Sequence, residues 1–156
     1  MLKTNDSGES FTPINTSTKS ALYDIAFSSP SRGYVVGNDG IILSTTDGGK
    51  SWTKIFSSYY VSYRSVYFYN STLGFITGGD GIILKTTNGG ESWKTVNTGV
   101  YSGINSIYFV DENTGYSTGL NGLILKTVDG GENWSILNTD VNLQGTIMSS
   151  VWFTDK

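Results

Sequence analysis

Apolar and polar positions along this chain fall into short segments that either alternate with a period of two or run apolar, each bounded by Gly, Asn or Asp. Four such segments recur in the same order three times. The first covers Leu22 to Phe27, Tyr63 to Phe68 and Ile104 to Phe109. The second covers Gly33 to Gly37, Gly74 to Gly78 and Gly115 to Gly119. The third spans residues 41–46, 82–87 and 123–128, and the fourth opens at Ser51-Trp52, Ser92-Trp93 and Asn133-Trp134. No helical periodicity interrupts them. The pattern predicts an all-β chain built from four-stranded antiparallel units.

The connections carry their own signals. Between the second and third segments sit Asn38-Asp39-Gly40, Gly79-Asp80-Gly81 and Leu120-Asn121-Gly122. Asp-Gly and Asn-Gly predict tight hairpins whose two central residues take positive φ. Between the third and fourth segments sits Asp-Gly-Gly or Asn-Gly-Gly, where the Asx side chain can bond backbone amides two residues on and the glycines accept positive φ.

Identical phrases fix the period. Gly-Ile-Ile-Leu-Ser-Thr-Thr-Asp-Gly-Gly-Lys-Ser-Trp ends at Trp52, and its counterparts end at Trp93 and Trp134, so the unit recurs every 41 residues. Leu2 to Phe11 is a worn fourth copy with Phe11 in the tryptophan slot. Roughly 40 residues is the length of one four-stranded propeller blade, and such units are stable only when stacked. The expected architecture is a β-propeller segment of about three and three-quarter blades. Residues 1–14 would end one blade, 22–56, 63–97 and 104–138 would be three full blades, and 148–156 would be the first strand of the next. Met1 aligns with the middle of a third strand, and Ser150-Val151-Trp152-Phe153 matches Ser65-Val66-Tyr67-Phe68. The chain is therefore read as a segment of a longer protein, with any signal or anchor lying upstream. The repeated tryptophans are expected in the core, filling the wedge between twisted sheets.

Composition removes several chemistries. Among 156 residues there is no cysteine and no histidine, so there is no disulfide framework, no thiolate metal site and no imidazole base. The net charge of −3 argues against a nucleic-acid face. No apolar run approaches the roughly 18 residues that span a membrane. No cofactor is expected. The glycine-rich turns lie between strands and precede no helix, which rules out a phosphate-binding motif. Each offers one carboxylate where calcium needs several oxygens.

Thr45-Thr46-Asp47-Gly48-Gly49-Lys50-Ser51-Trp52 resembles the Asp-box, the Ser/Thr-x-Asp-x-Gly-x-Ser/Thr-Trp hairpin of bacterial neuraminidase repeats. The second copy fits with Asn88 for the Asp, the third with Asn133 for the Ser/Thr. The pattern Phe68, Gly74-Phe75, Gly78, Gly81-Ile82-Ile83-Leu84 and Thr86 is similar to the repeat of the photosystem II stability/assembly factor family. That resemblance implies β-propellers, often seven-bladed, that bind proteins without catalysis, and bacterial relatives that are often exported or on the cell surface. It assigns a structural role to Asp47, Gly49, Trp52, Asn88, Gly90, Trp93, Asp129, Gly131 and Trp134. The family's basic contact patch has no match here, because the chain's arginines are Arg32 and Arg64 alone.

Two functions follow. The first is a protein-binding assembly scaffold, using connection residues that depart from the repeat, namely Tyr59, Tyr60, Tyr63, Arg64 and Tyr101. Clustered tyrosines with an arginine suit protein contact. The alternative is part of a sialidase- or xyloglucanase-like glycoside hydrolase acting on a glycan, which requires paired carboxylates. Asp24 is the candidate there, because it breaks the repeat where Ser65 and Ser106 stand. Open propeller ends also expose strand edges, and a homodimer closing one ring of seven or eight blades is a third arrangement such ends allow.

Overall fold

The computed structural model describes residues 1–55, 60–139 and 141–154. Among these, three four-stranded antiparallel sheets and one two-stranded hairpin form. The hairpin pairs β1 (Leu2–Lys3) with β2 (Thr12–Pro13). The first sheet runs β3 (Leu22–Phe27), β4 (Gly33–Gly37), β5 (Ile42–Thr45) and β6 (Thr53–Ile55) in chain order. The second runs β7 (Tyr63–Phe68), β8 (Gly74–Gly78), β9 (Ile83–Thr86) and β10 (Lys94–Val96). The third runs β11 (Ile104–Phe109), β12 (Gly115–Gly119), β13 (Ile124–Thr127) and β14 (Ser135–Ile136). These are propeller blades. Their first strands lie against one another, β3 on β7 and β7 on β11. No helix among the described residues is long and apolar enough to cross a membrane.

Burial follows the pattern of apolar residues. The second strands β4 and β8, which read almost without polar side chains, are buried along their whole length. Each is flanked at both edges by strands of its own blade and packs against the first strand of the following blade, β4 on β7 and β8 on β11. The hairpins after them behave as their sequences predict. Asp39 and Gly40 have φ of 58° and 64°, Asp80 and Gly81 have 55° and 69°, and Asn121 and Gly122 have 57° and 69°. Short polar residues and glycine tolerate that left-handed region best.

The Asp-Gly-Gly hairpins are tied further along the chain than expected. Asp47 Oδ1 accepts the amides of Lys50 at 2.9 Å and Ser51 at 3.0 Å, three and four residues on. Thr45 adds a second tie, its Oγ1 donating to Asp47 Oδ1 and accepting from the Gly49 amide. Thr86 with Asn88, Thr127 with Asp129, and the worn copy's Thr4 with Asp6 repeat the arrangement. Trp52 and Trp134 are buried and Trp93 is half-buried. Trp93 meets Phe68 of its own blade and Tyr34 of the preceding one edge-on, so it fills the interblade wedge.

Polar side chains stitch blade to blade. The Tyr34 hydroxyl donates to the Gly89 carbonyl at 3.0 Å, and Arg32 pairs with Glu91 at 2.9 Å. Lys85 pairs with Glu132 at 2.6 Å, and Lys3 donates to the Gly48 carbonyl at 2.6 Å. Residues 148–153 form no ladder but lie along the third blade. The Asn105 amide donates to the Met148 carbonyl, the Val151 amide to Ser106 Oγ, and Phe153 packs on Tyr108 and Tyr116.

Candidate protein-binding face

Each first strand slips register once, at the same place. The ladder shifts between Leu22 and Asp24, between Tyr63 and Ser65, and between Ile104 and Ser106. Tyr23, Arg64 and Asn105 are the extra residues, one repeat apart. A bulge re-aims its side chain out of the strand's alternation. The three converge on one pocket of about 440 Å³, shared with Asn38, Ser62 and Ser149. Asn38 Oδ1 accepts hydrogen bonds from the Tyr23 hydroxyl and from Ser62 Oγ, both at 2.7 Å. Two groups there are left over. Arg64 is exposed and makes no hydrogen bond or ion pair among the described residues, and Asn105 Oδ1 is buried without a partner among them. The pocket can therefore donate from a guanidinium fork and accept at an amide oxygen, a combination that suits a carboxylate beside a peptide N–H.

The neighbouring groove lies at the same end of the blades, between the Asp80-Gly81 hairpin and the connection leading to β11. It holds about 610 Å³ and is walled by Val61, Ile82, Val96, Val100 and Tyr101. Tyr101 is 91% exposed and Tyr60 98% exposed, each holding its ring into solvent. Thr98 Oγ1 donates to the Gly81 carbonyl at 2.8 Å and pins this connection to the hairpin.

Two sequence-based expectations need correction, and one residue falls outside the description. Tyr63 is fully buried in the core with Tyr34, Val66 and Ile76, so it is no part of a binding surface. It opens β7 at the repeat position of Leu22 and Ile104, an apolar slot that the aligned repeats already marked. Asp24 is no free catalytic carboxylate. Its Oδ2 accepts from Ser65 Oγ and the Val66 amide of the next blade, both at 2.9 Å, and its Oδ1 accepts from the Ile25 amide. It links two inner strands. Tyr59 lies outside the described residues. Tyr23 and Asn105 were missed, although their position carries Tyr, Arg and Asn in three otherwise similar repeats, and that variability was the available signal.

The hairpins centred on Asp47, Asn88 and Asp129 join strands three and four, and antiparallel geometry places them at the opposite end from this pocket. Ser51 Oγ donates to Asp47 and holds its carboxyl well below the usual range. The Asn133 backbone amide does the same for Asp129, whose pKa falls to about 2. Both carboxylates are fully engaged in their own turns.

The family model of the photosynthesis system II assembly factor YCF48 matches residues 3–101. A structure of YCF48 bound to D1 peptide is similar at 26% identity and a TM-score of 0.70, over 79% of this chain and 42% of that one. YCF48 from Cyanidioschyzon merolae is similar at 25% identity and 0.69, over 79% and 41%. The chain thus spans less than half the length of these relatives. An ancestral GH74 enzyme aligns at 21% identity with a TM-score of 0.76, over 90% of this chain and 21% of its own. A GH74 xyloglucanase from Xanthomonas campestris aligns at 16% and 0.58, over 77% and 22%. At those identities the GH74 proteins share the fold alone. No curated protein matches the chain. With well over half of its residues matched by that one model, this chain belongs to the photosynthesis system II assembly factor YCF48 family.

Proposed function

We propose that this chain is a protein-binding scaffold that holds an extended segment of a partner at the end of the blades where the three bulges converge. The observation that carries this reading is the Arg64 guanidinium beside the Asn105 oxygen, both without a partner among the described residues, in a pocket with two exposed tyrosines at the same end of the blades. The peptide held by a YCF48 of the same fold supports it. Arg64 would take a carboxylate of the partner and Asn105 a backbone amide, while Tyr60 and Tyr101 supply area at little entropic cost. The opposite hairpins, read as Asp-boxes, serve the blade structure alone. Export to the cell surface belongs to the same proposal and rests on the resemblance.

Titrating the chain with a D1 peptide, by calorimetry, tests this. Binding is expected, and Arg64→Ala should weaken it about tenfold, the equivalent of one charge-assisted hydrogen bond at about 1.4 kcal/mol. Affinity that Arg64→Ala leaves unchanged would remove the pocket from the function. Cleavage of xyloglucan oligosaccharides by the chain would instead support the hydrolase alternative.

A further inference from the structure

The geometry points to a second site, at the hairpin end of the junction between the first and second blades, that seats the alkylammonium side chain of a lysine from a partner polypeptide. Read 41 residues apart, the third strands carry Lys3, Ser44, Lys85 and Lys126, so the serine is the exception. Lys85 shows what a lysine does at that position. On β9, opposite Phe75, its side chain is 8% exposed and its ammonium meets Glu132 Oε1 of the third blade at 2.6 Å. Lys3 spans the preceding junction in the same way, reaching the Gly48 carbonyl at 2.6 Å. A serine is too short to fill that room. At Ser44 a cavity of about 480 Å³ opens instead, walled by Arg32, Tyr34, Ile55, Glu91 and Trp93.

The surrounding side chains register the difference. Trp52 and Trp134, at the junctions that Lys3 and Lys85 cross, are 8% and 9% exposed, whereas Trp93 at the Ser44 junction is only half-buried. Val96 of the second blade is buried, and its counterpart Ile55 in the first is half-buried. An indole face and a branched aliphatic chain are the surfaces that a lysine's methylene stem covers while its ammonium stays at the rim. Tyr34 does not stand in the way. It faces Ser44 across the ladder as Tyr116 faces Lys126, so a tyrosine and a lysine share this pairing elsewhere in the array.

Glu91 supplies the charge at the mouth. Its counterpart Glu132 serves two cations, Lys85 on Oε1 and Lys94 on Oε2 at 3.6 Å. Glu91 holds Arg32 on Oε1 and has no partner on Oε2 among the described residues. Thr53 stands where Lys94 does, so the first blade offers no second cation. The walls and one carboxylate oxygen of a lysine slot are therefore in place, and the occupant's ammonium takes that oxygen. This site is at the opposite end of the blades from Arg64, so either can fail without the other.

The probes are n-butylammonium, n-butanol and a capped Gly-Gly-Lys-Gly-Gly peptide, titrated at constant ionic strength into the isotope-labelled whole chain and followed by NMR. So small a fragment is expected to bind in the millimolar range. Butylammonium and the peptide should shift the Ser44 amide and the Trp93 indole N–H along one saturable curve, and butanol should not. Glu91→Gln should weaken the response about fivefold. Ser44→Lys, which gives the slot the chain's own lysine, should abolish it and unfold in urea no earlier than the parent. No response at tens of millimolar, a response equal in Ser44→Lys, or one that butanol matches overturns the proposal. A destabilised Ser44→Lys does so too, because the slot would then not seat a lysyl chain. Entry of butylammonium with exclusion of the peptide overturns the polypeptide source in favour of a free amine.

Discussion

Asp6, Asp47 and Asp129 each accept hydrogen bonds from a Ser or Asn four residues on, and each titrates below its ordinary value. Their pKa is lowered in the folded state, so their contribution is present above about pH 4 and is lost as pH falls toward about 2, where Asp6 and Asp129 titrate. Thermal midpoints are expected to hold from pH 7 to 5 and to drop between pH 4 and 2. Asn88 performs the same role without titrating, its Oδ1 accepting from the Ser92 amide and its Nδ2 donating to Ser92 Oγ. Asp47→Asn and Asp129→Asn should therefore flatten the acid limb, and an unchanged limb would show that other carboxylates govern it. The turn residues were legible because Asp-Gly and Asn-Gly state their φ requirement outright. Tyr63 was misread because the tyrosines just before it drew it into the contact cluster, although it heads a first strand in the apolar slot of Leu22 and Ile104.

At the scale of the blade, glycine marks where two sheets approach. A Cβ on Gly90 would lie 2.2 Å from the Tyr34 ring of the preceding blade, and φ there is +90°. Gly99 shares a positive φ of 70° but faces open space. Gly99→Ala should cost about 1 kcal/mol from backbone conformation alone. Gly90→Ala adds the collision with a buried ring and should cost about 3 kcal/mol or more, read by urea unfolding. Equal losses would mean the blades can part freely at this contact. The strands themselves were readable from alternation and repeat spacing. The bulges were not, because an extra residue in a six-residue strand alters no apolar count and only the ladder reveals it.

Across the whole molecule, stability is a sum of blade-to-blade contacts, and Asp24 is one of the few that join inner strands directly. Asp24→Ala leaves the Val66 amide unpaired and should cost about 1–3 kcal/mol. Asp24→Ser, which restores the residue of the other copies, should recover much of that. Hydrogen exchange should show β3 amides opening earlier than β7 amides in the alanine variant; uniform acceleration would mean the blades unfold as one unit. Nothing in the spacing of acidic residues could have separated this link from a catalytic carboxylate, since both call for an Asp at the end of an inner strand.

The ion pairs between blades have a further consequence. Glu91 receives Arg32 and Glu132 receives Lys85, yet the first hairpin carries Lys50 at that position. Near-identical repeats invite shuffling, because displacing one by 41 residues preserves most apolar contacts. Charge narrows that degeneracy at the two hairpins that carry glutamates. Were the third blade to stack against the first, Lys126, which stands where Lys85 does, would face Lys50 and leave Glu132 without its cation. The second and third hairpins thus carry an ionic address, whereas at the first Lys3, which stands where Lys85 does, bonds the Gly48 carbonyl and needs no acidic partner.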